Sequence, residues 1–142
     1  MADRALAQYQ DATHAITPLV GNRPAKALGQ TLKIVAFNAK GGRRFEGTIA
    51  CLKRQPLADA DVILFCEADW NHWRSNWRKF AAEIADSLNM SFAYHGEFGK
   101  PEQVGEPITF RGNAILCSQP LEAAHTIPIP NGWVHRRLRR LI

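Results

Sequence analysis

The chain has little of what usually ties a sequence to a compartment or a chemistry. Only three cysteines, Cys51, Cys66 and Cys117, occur in 142 residues, and none falls in a CxxC pair. An odd count without ligand spacing argues against a disulfide framework or a zinc site, and for buried thiols of a reducing compartment. No run reaches the roughly 18 apolar residues of a membrane span. Met1-Ala2-Asp3-Arg4 is not followed by a long apolar stretch, so a secretory signal is not expected and the cytoplasm is the default. The GxxxxGK[ST] phosphate loop is missing: Lys40-Gly41-Gly42-Arg43 follows a strand and opens a helix, but no lysine stands before Gly47-Thr48. Neither a HExxH zinc helix nor a Ser-His-Asp order is present, and there is no internal repeat or low-complexity tract.

What is present begins with charge. The formal net charge is +5, which favours polyanionic partners. Much of the excess sits in Arg136-Arg137-Leu138-Arg139-Arg140, either a phosphate-binding strand or a solvated tail. The 46% apolar content suffices for one packed domain or part of a larger one.

Ala5, Leu6, Tyr9, Ala12 and Ile16 recur at helical steps, predicting a helix over 2–15. Pro18, Gly21, Pro24 and Gly29 then break any regular element as far as Gln30, giving an N-terminal helix and linker over 1–30. A strand is expected at 31–38, a Gly41-Gly42 turn, a helix from Arg43 to Gln55 ended by Pro56, and a nearly continuous apolar strand at 61–67. Trp73, Trp77, Phe80, Ala81, Ile84 and Leu88 repeat at helical spacing, so the two tryptophans are expected on a helix packed against the sheet. Short strands follow at 90–94 and 114–117, with a loop at 99–109 between them. The last ten residues fit either a helix or a strand. Strands alternating with helices and then clustering predict an α/β layered fold.

The two apolar runs Leu32–Phe37 and Asp61–Cys66 end in Asn38 and Glu67, with one crossover-sized segment between them. Parallel neighbours would bring that amide and carboxylate side by side, where a hard cation such as Mg²⁺ is held by oxygen. Singly, each is an ordinary strand terminus. Downstream, Glu67, Asp69, Asn71, His72, Arg74, Ser75 and Arg78 form a polar stretch in which Arg74 and Arg78 are candidate phosphate grips. His95, beside Tyr94, reads as structural.

The ordered set LKIVAFN (32–38), DVILFCEAD (61–69), Arg74-Ser75, SLNMSFAYHGEF (87–98) and RGNAIL (111–116) resembles the N-terminal half of the endonuclease/exonuclease/phosphatase family over residues 31–142. The resemblance implies half of a four-layer α/β/β/α sandwich with a mixed sheet, and hydrolysis of a phosphate ester with Mg²⁺ or Mn²⁺. It carries metal-site roles onto Asn38 and Glu67, and active-site roles onto Glu97 and Asn113. The family's later His, Asp-x-Asn and Asp-His motifs have no counterpart, and Cys117-Ser118-Gln119 stands where Ser-Arg is usual. The chain alone is therefore expected to have little or no hydrolase activity. Its inner sheet face would be left open to self-association or to a second chain. The substrate would be a nucleic acid, a phospholipid or an inositol phosphate. The alternatives are a non-enzymatic module binding nucleic acid through the basic C-terminus, or an inert remnant.

Overall fold

A buried carboxylate sets the register of the sheet. The computed structural model describes residues 18–100 and 109–125, with the backbone alone at 97–100 and 109–110. Asp61 Oδ2 accepts the Lys33 N–H at 2.8 Å, and the Lys33 carbonyl accepts the N–H groups of Asp61 and Val62 at 2.9 and 3.1 Å. This clamp starts β2 (Ile34–Asn38) beside β3 (Val62–Trp70), parallel, with Ile34 opposite Val62 and Asn38 opposite Cys66. The crossover between them contains α1 (Phe45–Leu52). Three further strands, β1 (Leu19–Gly21), β4 (Ser91–Lys100) and β5 (Thr109–Cys117), add antiparallel pairs. The result is a five-stranded mixed sheet in the order β1-β4-β5-β3-β2, an α/β arrangement.

The second helix, α2 (Phe80–Leu88), follows from its sequence. Phe80, Ala81, Ile84 and Ala85 fall on one stripe and are all buried. Asn89 then takes a left-handed backbone at φ +52°, and the Met90 N–H closes onto the Ala85 carbonyl at 2.9 Å, ending the helix. Four phenylalanines tie helices to sheet edge-to-face: Phe37 to Phe65 at 5.7 Å, Phe65 to Phe80 at 5.5 Å, and Phe80 to Phe45 at 5.9 Å.

Strand alternation divides the sheet into two unlike faces. Val35, Phe37, Ile63, Phe65, Phe92, Tyr94 and Leu116 belong to the face on which the helices pack. Across the other face, strand pairing aligns Val20, Ala93, Ile115, Leu64 and Ala36 in one row spanning all five strands. Leu64 there is 41% exposed and the neighbouring Ile34 57% exposed.

Several boundaries differ from those read in the sequence. The strand read at 31–38 starts at Ile34, and the strand read at 61–67 runs on to Trp70. β4 and β5 extend to Lys100 and from Thr109, into the stretch read as a loop; residues 101–108 lie outside the described residues. Leu19–Gly21 is an edge strand inside the stretch read as linker. The helix read at 73–88 exists only from Phe80, and Trp73 and Trp77 precede it in a loop. Cys51 is an exposed thiol rather than a buried one, while Cys66 and Cys117 are half-buried. The helix read over 2–15 and the Arg136–Arg140 segment lie outside the described residues. Among the described residues, no helix is long and apolar enough to cross a membrane.

β5 is flanked by two interruptions at the same level. The β3 ladder skips from Phe65 to Ala68, and the β4 ladder from Gly96 to Phe98. Ala68 and Gly96 both lie opposite Gly112. A Cβ on Gly112 would sit 2.8 Å from the His95 carbonyl carbon and 2.9 Å from the Gly96 Cα, so no side chain fits. Gly112→Ala is expected to lose about 1–3 kcal/mol or more of stability, read as a lower urea midpoint; an unchanged midpoint would contradict this close approach.

Candidate functional site

β2 and β3 end on the same edge, and two short loops follow them. β2 ends in Asn38, whose Oδ1 accepts the Lys40 N–H at 2.7 Å, so the amide oxygen is turned back onto its own chain. That fixes the other end of the amide. Asn38 Nδ2 donates to Glu67 Oε1 at 3.2 Å.

Glu67 is brought there by the interruption in β3. Its backbone adopts φ +55°, and its N–H leaves the ladder to donate to Asn113 Oδ1 at 3.3 Å. A non-glycine residue in this region costs on the order of 1–3 kcal/mol and persists only where its surroundings over-determine it. Asn113, on the neighbouring β5, supplies part of that determination and is buried. Glu67 and Asn38 themselves are exposed. The structure therefore brings together three of the residues singled out in the sequence, Asn38, Glu67 and Asn113. Glu97 is the residue skipped in the second interruption, on β4, with its side chain outside the described atoms. His95 pairs with Asn113 across β4 and β5.

The two arginines read as phosphate contacts are both engaged with carboxylates. Arg74 grips Asp69 through two donors: Nε pairs with Oδ2, and Nη2 donates to Oδ1 at 2.8 Å. Asp69 is completely buried, and these bonds raise the Arg74 pKa above its ordinary value. Arg78 Nη1 donates to Glu83 at 2.6 Å, its Nη2 lies 3.5 Å from Glu46, and its guanidinium lies 4.1 Å over the Phe45 ring, bridging α1 and α2.

Asp69 is the functional side chain that the sequence reading left without a role. The signal was an acid two residues past the apolar run with an arginine five residues on. The pair joins the two loops. Gly41, at φ +72°, lies so close to the guanidinium that a Cβ would be 2.7 Å from Arg74 Nη2. His72, also buried, accepts the Arg74 N–H on Nδ1 at 3.2 Å, and the same nitrogen lies 3.7 Å from Asp69 Oδ2. Among the described residues, no three of His, Cys, Asp and Glu converge in a ready-made metal cage. Comparison with protein-family models, curated proteins and solved structures finds no match to this chain.

Removing one partner of a buried ion pair strands the other charge. Arg74→Ala is expected to destabilise the fold by about 3–5 kcal/mol. Arg74→Lys would recover only part, because an ammonium lacks the paired donors. Urea denaturation of the two variants checks both statements, and a near-neutral Arg74→Ala would contradict them.

Proposed function

We propose that the rim formed by Asn38, Glu67 and Asn113 is the cation-holding part of a phosphoesterase site of the endonuclease/exonuclease/phosphatase type. The observation that carries this reading is Glu67: an exposed carboxylate on a left-handed backbone, thrown out of the ladder and steadied by two asparagines. A surface glutamate with no task sits in the ladder at lower cost.

The donor set suits Mg²⁺ or Mn²⁺. Mg²⁺ is commonly bound through one or two carboxylates, with waters and substrate phosphate completing its shell. Glu67 would hold the ion, and Asn38 orients the carboxylate through its Nδ2–H, an indirect role rather than ligation through an amide oxygen already bonded to Lys40. Bound there, the ion would polarise a phosphoryl oxygen and neutralise charge that builds during attack on phosphorus.

The remaining residues act on the rim. Asn113 holds the backbone of Glu67. Glu97, at the matching interruption of β4, is the additional acid of this reading. Arg74 supplies positive background behind Gly41 while its paired donors serve Asp69; Arg78, committed to Glu83 and Glu46, has no part. On the same reading, the open sheet face is the inner face of a four-layer sandwich, covered by a second sheet, a second chain or another copy. The substrate is a phosphate ester, whether from nucleic acid, phospholipid or inositol phosphate.

Titration with Mn²⁺, followed by electron paramagnetic resonance of the free ion, tests the assignment. Glu67→Gln is expected to abolish specific binding, and Asn38→Ala to weaken it about 10- to 100-fold. Unchanged affinity in Glu67→Gln would overturn the reading.

A further inference from the structure

We propose that the loop between β3 and α2, residues 71–79, is a binding platform for single-stranded nucleic acid, independent of the Glu67 rim. The indoles of Trp73 and Trp77 would stack on bases, and Lys40, Arg43, Arg44 and Lys79 would draw in the phosphate backbone.

The loop is built to present its tryptophans rather than bury them. Trp73 is 53% and Trp77 45% exposed, although indole is among the largest apolar surfaces a protein can bury. Trp77 also sits at φ +59°, a genuine outlier for a bulky side chain. Asn76 beside it takes the same left-handed conformation with a side chain suited to it. Neither packing nor backbone preference therefore asks for tryptophan at position 77.

The loop is also held in place. The N–H groups of Ser75 and Trp77 both donate to the His72 carbonyl at 3.0 Å, that of Asn76 to the Trp73 carbonyl at 3.0 Å, and that of Asn71 to the Arg78 carbonyl at 3.0 Å. The His72 ring lies behind Trp73, with centroids 5.6 Å apart. Platforms fixed before binding lose less entropy on binding.

The chemistry around the indoles selects the partner. The segment Asn71-His72-Trp73-Arg74-Ser75-Asn76-Trp77-Arg78-Lys79 contains no aliphatic side chain, so it cannot enter hydrocarbon without stripping water from charged and amide groups. A bilayer is therefore a poor fit. Lys40, Arg43, Arg44 and Lys79 are exposed, with no acidic partner among the described residues. The Arg78–Phe45 stack and the Gly41–Arg74 contact bring the segment from Lys40 to Phe45 against the loop. Lys79 Nζ lies 5.9 Å over the Trp70 ring, and flat aromatic faces beside cations that lack acidic partners match the bases and phosphates of an unpaired strand.

Fluorescence anisotropy of a labelled single-stranded DNA oligomer of about a dozen nucleotides, with the full chain in EDTA and low salt, tests the proposal. Trp73→Ala and Trp77→Ala are each expected to weaken binding roughly 5- to 100-fold, while Trp73→Phe retains part of it. Trp77→Asn is expected to raise thermal stability yet lower affinity, which separates binding from folding. No binding by the wild-type chain, or unchanged affinity in both alanine variants, would overturn the proposal. So would loss of binding only on neutralising Arg136–Arg140, or a shift of indole emission by phosphatidylserine vesicles but not by the oligomer.

Discussion

β4 approaches β5 at Gly112 more closely than any side chain permits, and the candidate site lies at the same level of the sheet. With no Cβ in the way, the β4 backbone closes on β5 there, and the β3 and β4 ladders both break at that level. The β3 interruption takes Cys66 and Glu67 out of the pairing with β5, and the β4 interruption takes out Glu97. Bulges re-aim side chains at the ends of sheets, and here the freed N–H of Glu67 is caught by Asn113 of the central strand. The other requirement is register. A slip of one residue between β2 and β3 would turn Asn38 to the helix-covered face, and the Asp61 clamp on Lys33 opposes it at the far end of the pair.

A second layer of interactions keeps this edge stiff. Among the described residues, six non-glycine residues have positive φ, and five of them, Lys40, Glu67, Asn71, Asn76 and Trp77, lie at or just beyond the ends of β2 and β3. Strain so concentrated needs a rigid support, and the buried Asp69–Arg74 pair provides it by joining the loop after β3 to the turn at Gly41. The same support serves two different surfaces. One is the carboxylate rim, proposed to hold a hard cation; the other is the tryptophan loop, proposed to receive flat rings and phosphates.

Features encoded by local patterns were legible in the sequence. Apolar runs of strand length separated by one crossover gave the parallel pairing of β2 with β3, and with it the meeting of residues 38 and 67. Asn113 came from the family resemblance alone, since it lies inside β5 and no local pattern marks it. The loop at 71–79 was not, because Trp73, Trp77, Phe80, Ile84 and Leu88 keep helical spacing on both sides of Lys79. What decides the conformation there is tertiary: Asp69 takes the Arg74 side chain, and a Trp70–Lys79 bridge closes the loop at its base. The extensions of β4 and β5 past their apolar stretches were hidden for a similar reason. Gly96, Gly99, Arg111 and Gly112 carry no strand pattern, and pairing between β4 and β5 keeps them extended.

The proposed chemistry requires that the carboxylate of Glu67 and its two asparagines form a single cation-binding rim. Amide spectra of isotope-labelled chain titrated with substoichiometric Mn²⁺ examine it residue by residue. Paramagnetic broadening should centre on residues 38–40, 67 and 113, where backbone N–H groups surround the rim. Broadening centred on other acidic side chains, such as Glu46, Asp59 or Asp86, with resonances 38, 67 and 113 left sharp, would contradict it.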